Sequence, residues 1–230
     1  MTTPARSIVE CRSCGAGAPL DVHFCPQCSR ILALGRHGDY FSFLGVPRRL
    51  NLDPADLERR FRELSRQFHP DYFYNATPAE RLASLERSSY LNDAYRTLRN
   101  PVSRLEYLLS LEGLEVSPPA GTSGEGGQPR VPPALLEEVF ALNEELDEIR
   151  ELREEGGDRA TLRARLEAAR RPIERKRQEH ERQLEELSAR WDARQDRDTL
   201  EALRARTLER NYINNLLATI EREMASLSDG

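Results

Sequence analysis

The sequence predicts a mainly α protein: a small cysteine-rich ribbon at the N-terminus, a compact helical segment, and a three-helix antiparallel bundle at the C-terminus. Three observations predict it. All four cysteines fall between residues 11 and 28. No stretch after residue 38 alternates polar and apolar residues as a half-buried strand would. Residues 134–228 are dominated by Leu, Glu and Arg at helical spacing. The expected divisions are 1–38, 39–114, 115–133 and 134–230.

The ribbon comes first. Cys11, Cys14, Cys25 and Cys28 read C-x2-C-x10-C-x2-C. Two close pairs separated by a short hairpin can place four thiolates tetrahedrally around one metal ion. Gly15, Gly17 and Pro26 suit the tight turns that aim such ligands inward. Ile8, Val9, Leu20, Val22 and Phe24 are too few to make a core. Metal binding would therefore supply the folding free energy, about 10–16 kcal/mol apparent for a structural zinc. One structural zinc ion is the expectation; a rubredoxin-like iron site uses the same ligands and stays open. His23 is expected outside the ligand set. Two disulfides would need an oxidising compartment, and a redox CxxC usually accompanies a βαβ pattern that is absent here.

In the second segment Asp53 suits a helix N-cap and Pro54 the first turn. Leu57, Phe61, Leu64 and Phe68 follow on one face. The rest of that helix carries Arg59, Arg60, Arg62 and Arg66 with Glu58 and Glu63. His69-Pro70 ends it, since a residue before proline is pushed out of the helical region. A second helix is expected from Thr77-Pro78 to about Arg99, with Leu82, Leu85, Leu91, Ala94, Tyr95 and Leu98 available for a core. Asn100-Pro101 stops it, and Val102 to Leu111 reads as a further short helix. The outline is two antiparallel helices joined by a loop that starts His69-Pro70-Asp71.

Residues 115–133 hold five prolines and four glycines, the composition of a linker or disordered insertion. Three helices are then expected at about 134–155, 158–190 and 198–227, turning at Gly156-Gly157 and near Asp192–Asp198. Pro172 should kink the middle one. On the first of these helices, Leu135, Val139, Leu142, Leu146 and Ile149 fall within about 40° of one line, which marks the core stripe. Leu136 and Phe140 sit about 100° and 140° away and should be exposed. Glu144 and Glu148 continue their row. Tyr212 lies about 100° off the stripe of the last helix. An exposed apolar pair with an acidic continuation suggests a protein-binding surface. Residues 134–155 contain nine acidic residues and two arginines, so its partner should be basic. Scattered surface hydrophobes are the plainer alternative.

Composition excludes several functions. The net charge of −5 argues against a general nucleic-acid binder. No run of 18 apolar residues spans a membrane, and the N-terminus lacks the apolar core of a secretory signal, so a cytoplasmic protein is expected. The only lysine is Lys176, between two arginines, which closes the Gly-Lys-Ser/Thr route to nucleotide phosphates. His69 and Asp71 have no serine or cysteine nucleophile placed beside them, so an enzyme is not expected.

Residues 39–113 resemble a J-domain throughout. The match runs from the opening Asp-Tyr-Phe-x-x-Leu-Gly-Val, through the arginine-faced helix and His-Pro-Asp, to Leu-Asn-Asp-Ala-Tyr-x-x-Leu-x-x-Pro. The following Arg-Leu-Glu-Tyr-Leu-Leu-Ser-Leu-Glu-Gly and the three-helix tail are similar to HscB, the co-chaperone family of iron–sulfur cluster assembly, some members of which carry an N-terminal tetracysteine module. The resemblance implies a protein without chemistry of its own. His69, Pro70 and Asp71, with Arg59, Arg60, Arg62 and Arg66, would dock on a DnaK/HscA-type chaperone and trigger its ATP hydrolysis. Leu136, Phe140, Glu144, Glu148 and Tyr212 match the face that binds an IscU-type cluster scaffold. The family commonly has lysine where this chain has Tyr72, and Glu137 and Ala141 depart from an apolar and an acidic position. A J-domain protein for another client, a zinc-ribbon nucleic-acid binder, a thiol oxidoreductase and self-association are the alternatives carried forward.

Overall fold

The computed structural model describes residues 8–19, 22–34, 38–114, 116 and 135–228. The 115–133 linker expected from composition lies, apart from residue 116, outside the described residues. The chain divides into two compact units, Met1–Glu112 and Gly113–Gly230.

The first unit opens with two short antiparallel strands, β1 (Ile8–Glu10) and β2 (Gly17–Pro19), with Val9 opposite Ala18. Each C-x2-C pair sits in the same kind of turn. The Cys11 amide donates to the Ala16 carbonyl and Gly15 donates back to Cys11, both at 2.8 Å. The Cys25 amide donates to Arg30 at 2.8 Å and Ser29 donates back to Cys25 at 2.9 Å. Gly15, at φ +75°, and Ser29, at φ +56°, take the left-handed conformation that such a return requires. Glycine was foreseeable at the first turn; the second uses serine, which pays the β-carbon penalty there.

The rest of this unit is helical: α1 (Tyr40–Phe43), α2 (Pro54–Phe68), a 3-10 turn at Pro70–Phe73, α3 (Pro78–Arg99) and α4 (Pro101–Leu111). Asp39, Asp53, Thr77 and Asn100 cap the four α-helices, and Thr77 with Glu80 completes a capping box. Helices α2 and α3 run antiparallel: Phe61 stacks on Tyr95 at 4.2 Å, while at the other end the Phe68 carbonyl accepts from Ser84.

One part of the sequence reading is corrected. Leu82 and Leu85 do not face the core of α3; they are 52% and 55% exposed. The buried stripe is Glu80, Ala83, Ser84, Arg87, Leu91, Ala94 and Leu98. At 100° per residue, Leu82 and Leu85 stand about 180° and 120° round the helix from Leu91. Apolar type suggested an inward position, and helical phase overrules it.

Arg87 explains why a charge occupies that stripe. It is fully buried, and its Nε donates to the Leu32 carbonyl at 2.8 Å, its Nη2 to the Ala33 carbonyl at 3.2 Å, and its Nη1 to His23 Nδ1 at 2.8 Å. An arginine only donates, so His23 accepts and is neutral at that nitrogen. Burial brings the Arg87 pKa down to about 10, which leaves it charged at neutral pH. Nearby, Arg30 makes two hydrogen bonds of 2.9 and 3.0 Å to Glu80. The ribbon is thereby joined to the helices by two charge-assisted contacts.

The second unit is a bundle of α5 (Leu136–Glu154), α6 (Arg159–Arg194) and α7 (Arg197–Ser228). Its core holds the predicted α5 stripe, Leu135, Val139, Leu142, Leu146 and Ile149, with Leu162, Leu166 and Ile173 of α6 and Ile213, Leu217 and Ile220 of α7. Gly156, at φ +83°, makes the first turn. Gln195, at φ +51°, ends α6, and the Asp196 carboxylate accepts from the Thr199 amide at 2.8 Å to start α7. Helix α6 continues through Pro172, which is exposed. Its 36 residues span about 54 Å against about 28 Å for the 19 residues of α5. Towards the α6–α7 turn the buried residues include Trp191, Leu200 and Leu203. No described helix is long and apolar enough to cross a membrane.

Candidate metal centre and docking surfaces

The four cysteines converge. Cys11 and Cys28 bring their sulfurs to 3.7 Å, as do Cys14 and Cys25, and all four Sγ atoms lie within 4.8 Å of one another. A tetrahedral ion with bonds of about 2.3 Å requires sulfurs about 3.8 Å apart, so the set fits one zinc ion. Soft thiolates favour zinc or iron over harder cations. Backbone amides of Cys28 and Gln27 point at Cys25 and bring its pKa to about 7. Cys14 is pushed up to about 12: the Ala16 amide lowers it, but burial and hydrogen bonds among the clustered thiols outweigh that. Four thiols this close repel one another as anions, and a dication removes that conflict. His23 lies outside the ligand set, as expected, with its ring against Phe43 and Phe68 at 4.8 and 5.0 Å between centroids.

His69 closes α2 at φ −58° and ψ 126°, the extended conformation that Pro70 enforces. Its Nδ1 accepts from the Asp71 amide at 3.3 Å. The Asp71 carboxylate lies 3.5 Å from the same nitrogen and is 87% exposed. Among the described residues it makes no other ion pair. His69, Asp71, Tyr72, Ser65 and Arg66 line a shallow cleft of about 260 Å³. Tyr72 and Tyr74 project beside it, both more than 70% exposed.

The four arginines are not equivalent. Arg60 is turned inward, donating to the Gly45 carbonyl at 2.7 Å and to Asp56 at 2.8 Å. Arg59 spans Asp56 and Glu63, and Arg62 pairs with Glu58, all on the exposed helix surface. Such pairs are worth little and exchange easily with a partner's charges. Arg66 is exposed and makes no ion pair among the described residues.

On the bundle, Leu136, Phe140 and Glu144 are exposed at four-residue steps along α5, with Phe140 at 65%. Glu148 continues that row but is held by Arg165 at 2.6 Å, and Glu145 binds the same guanidinium at 2.7 Å. Tyr212 is half-buried and packs against the bundle core. Glu137 and Ala141 are exposed alongside.

Sequence reasoning placed Phe68 on the apolar face of α2 but missed the two serines that hold its backbone behind the His69 turn. Phe68 is completely buried, and its carbonyl accepts from Ser84 at 2.6 Å and Ser88 at 3.0 Å. The signal for them was the phase of α3: Ser84, Arg87 and Leu91 share one face.

The DnaJ domain family matches residues 39–107. Among solved structures, the chain is similar to the human co-chaperone protein HscB, at 27% identity and a TM-score of 0.61, covering 94% of this chain and 98% of that one. It is also similar to the chaperone HscB from Vibrio cholerae, at 28% identity and a TM-score of 0.54, covering 83% of this chain and 99% of that one.

Proposed function

We propose that this chain, an HscB-type J-domain co-chaperone by its fold and its residues 39–107, binds an iron–sulfur cluster scaffold and presents it to a DnaK/HscA-type chaperone, whose ATPase it stimulates. The observation that carries the reading is the presentation of Asp71. Its carboxylate is exposed beside the His69 imidazole, at the end of a helix whose Arg66 makes no ion pair among the described residues. A carboxylate this exposed, with only that imidazole beside it, suits an arginine on another protein. The surrounding arginines add orientation and association rate more than affinity. Tyr72 in place of the family's lysine gives one positive charge fewer at the contact.

The scaffold would be met by α5, through Leu136, Phe140 and Glu144. Glu148 and Tyr212 contribute less, since one is paired with Arg165 and the other is packed on the core. That partial engagement favours a second reading, a different basic client on the same face. The domain divisions proposed are the ribbon at 1–38, the J-domain at 39–114 and the bundle at 134–230, with zinc as the structural ion. A protein that docks on an ATPase needs no catalytic group of its own.

Steady-state ATP hydrolysis by such a chaperone, with scaffold present, tests the reading. The wild type should raise it, and His69→Gln or Asp71→Asn should leave it at the basal level. Equal stimulation by all three removes the J-domain role. Failure of the wild type to bind the scaffold, with stimulation retained, selects the second reading.

A further inference from the structure

We propose that the tetracysteine ribbon positions the His69-Pro70-Asp71 turn, acting through His23 and Arg87 on Phe68. Phe68 is the last residue of α2, so its placement sets where His69 leaves the helix. Its backbone is held from one side by Ser84 and Ser88. Its ring is held from the other by the ribbon. His23 meets it edge-on at 5.0 Å, Phe24 lies at 6.0 Å, and the Arg87 guanidinium sits over it at 5.7 Å.

These supports depend on the metal ligands. Among the described residues the ribbon's buried cluster is Cys11, Ala18, Cys25 and Leu32, so half of it is cysteine. Residues 23–33 carry Cys25 and Cys28, and also His23 Nδ1 and the Leu32 and Ala33 carbonyls, which are the acceptors for Arg87. Without an ion, nothing of comparable strength fixes this segment. Loosening it strips acceptors from a buried guanidinium, and a buried charge without partners is too costly to persist. Arg87 must then swing outward, uncovering Phe68 and freeing the turn that follows. Metal occupancy is thereby linked to the geometry of the docking turn. Its effect on chaperone stimulation rests on the function proposed above, but the linkage itself does not.

Amide hydrogen exchange on the full chain, with and without metal removal by a chelator, tests the linkage without any partner. Removal should speed exchange at residues 66–74 on the order of tenfold, while the first turns of α2 and the α5–α7 bundle keep their rates. His23→Ala, with cobalt bound so that its thiolate spectrum reports an intact ribbon, should reproduce the effect in the loaded protein. His23→Phe, which keeps a ring against Phe68, should largely reverse it. If His23→Ala loses the cobalt spectrum, Arg87→Met replaces it, since that substitution leaves the ribbon's own residues untouched. Unchanged exchange at 66–74 in the metal-free protein overturns the proposal. So does acceleration spread evenly over residues 8–112, which would make the ribbon a general stabiliser.

Discussion

Phe140 and Leu142 are two residues apart on α5, yet one is 65% exposed and the other 4%. Their truncations should therefore separate. Leu142→Ala leaves a cavity among the bundle's aliphatic side chains and should cost about 2–5 kcal/mol in denaturant unfolding. Phe140→Ala should stay within about 0.5 kcal/mol of wild type while weakening scaffold binding about five- to thirty-fold, as loss of an interface aromatic does. Calorimetric titration alongside the melts checks both. At Ser29, held at φ +56°, glycine should relieve the left-handed strain and stabilise the metal-bound ribbon by about 0.5–1 kcal/mol, read as tighter metal binding in a competition titration. Glu80 is held below its ordinary value of 4.5, chiefly by the Arg30 hydrogen bond. A lowered carboxylate pKa adds stability that is complete above about pH 4.5 and is lost as pH falls through the lower folded value. Glu80→Gln should flatten that acid limb of the unfolding profile, and an unchanged limb would contradict the pairing.

At the scale of the element, the sequence was most legible where several signals agreed. The helix starts at Asp53 and Thr77, the proline-enforced end of α2 and the α5 stripe follow from residues whose local physics admits one reading. Helix α3 shows where that stopped. Its leucines pointed one way by type and another by phase, and the helix obeyed phase because Arg87 had three acceptors waiting on the ribbon. Those acceptors lie more than 50 residues earlier in the chain, beyond any local pattern. Helix α2 raises a graded expectation for its arginines. Arg66, exposed beside the His69 turn, should lose the most chaperone affinity when changed to alanine, with Arg62 and Arg59 intermediate. Arg60→Ala should lower stability instead, because its guanidinium holds the Gly45 carbonyl. Association rates measured at several salt concentrations distinguish these, since only exposed charges contribute a salt-dependent rate.

At the scale of the whole molecule, two units with separate cores carry two opposed surfaces, an arginine face on one and an acidic face on the other. The net charge of −5 hides that opposition. On the proposed function, joining both surfaces in one chain would turn the meeting of scaffold and chaperone into an intramolecular event at raised effective concentration. Only the first unit holds the four-cysteine cluster, so chelation should leave the calorimetric transition of the bundle in place. By itself the sequence determined the four-cysteine cluster, the His69-Pro70-Asp71 turn, the bundle stripe and the exposed position of Phe140. Each depends on spacing within a few turns of chain, where geometry is fixed by the helix or the C-x2-C turn. Only the tertiary structure decided which arginines are available, that Glu148 is paired and Tyr212 half covered, and that the ribbon rests on Phe68. Those outcomes depend on which distant groups can satisfy a buried or half-buried charge, and partners so far apart along the chain leave no periodic trace.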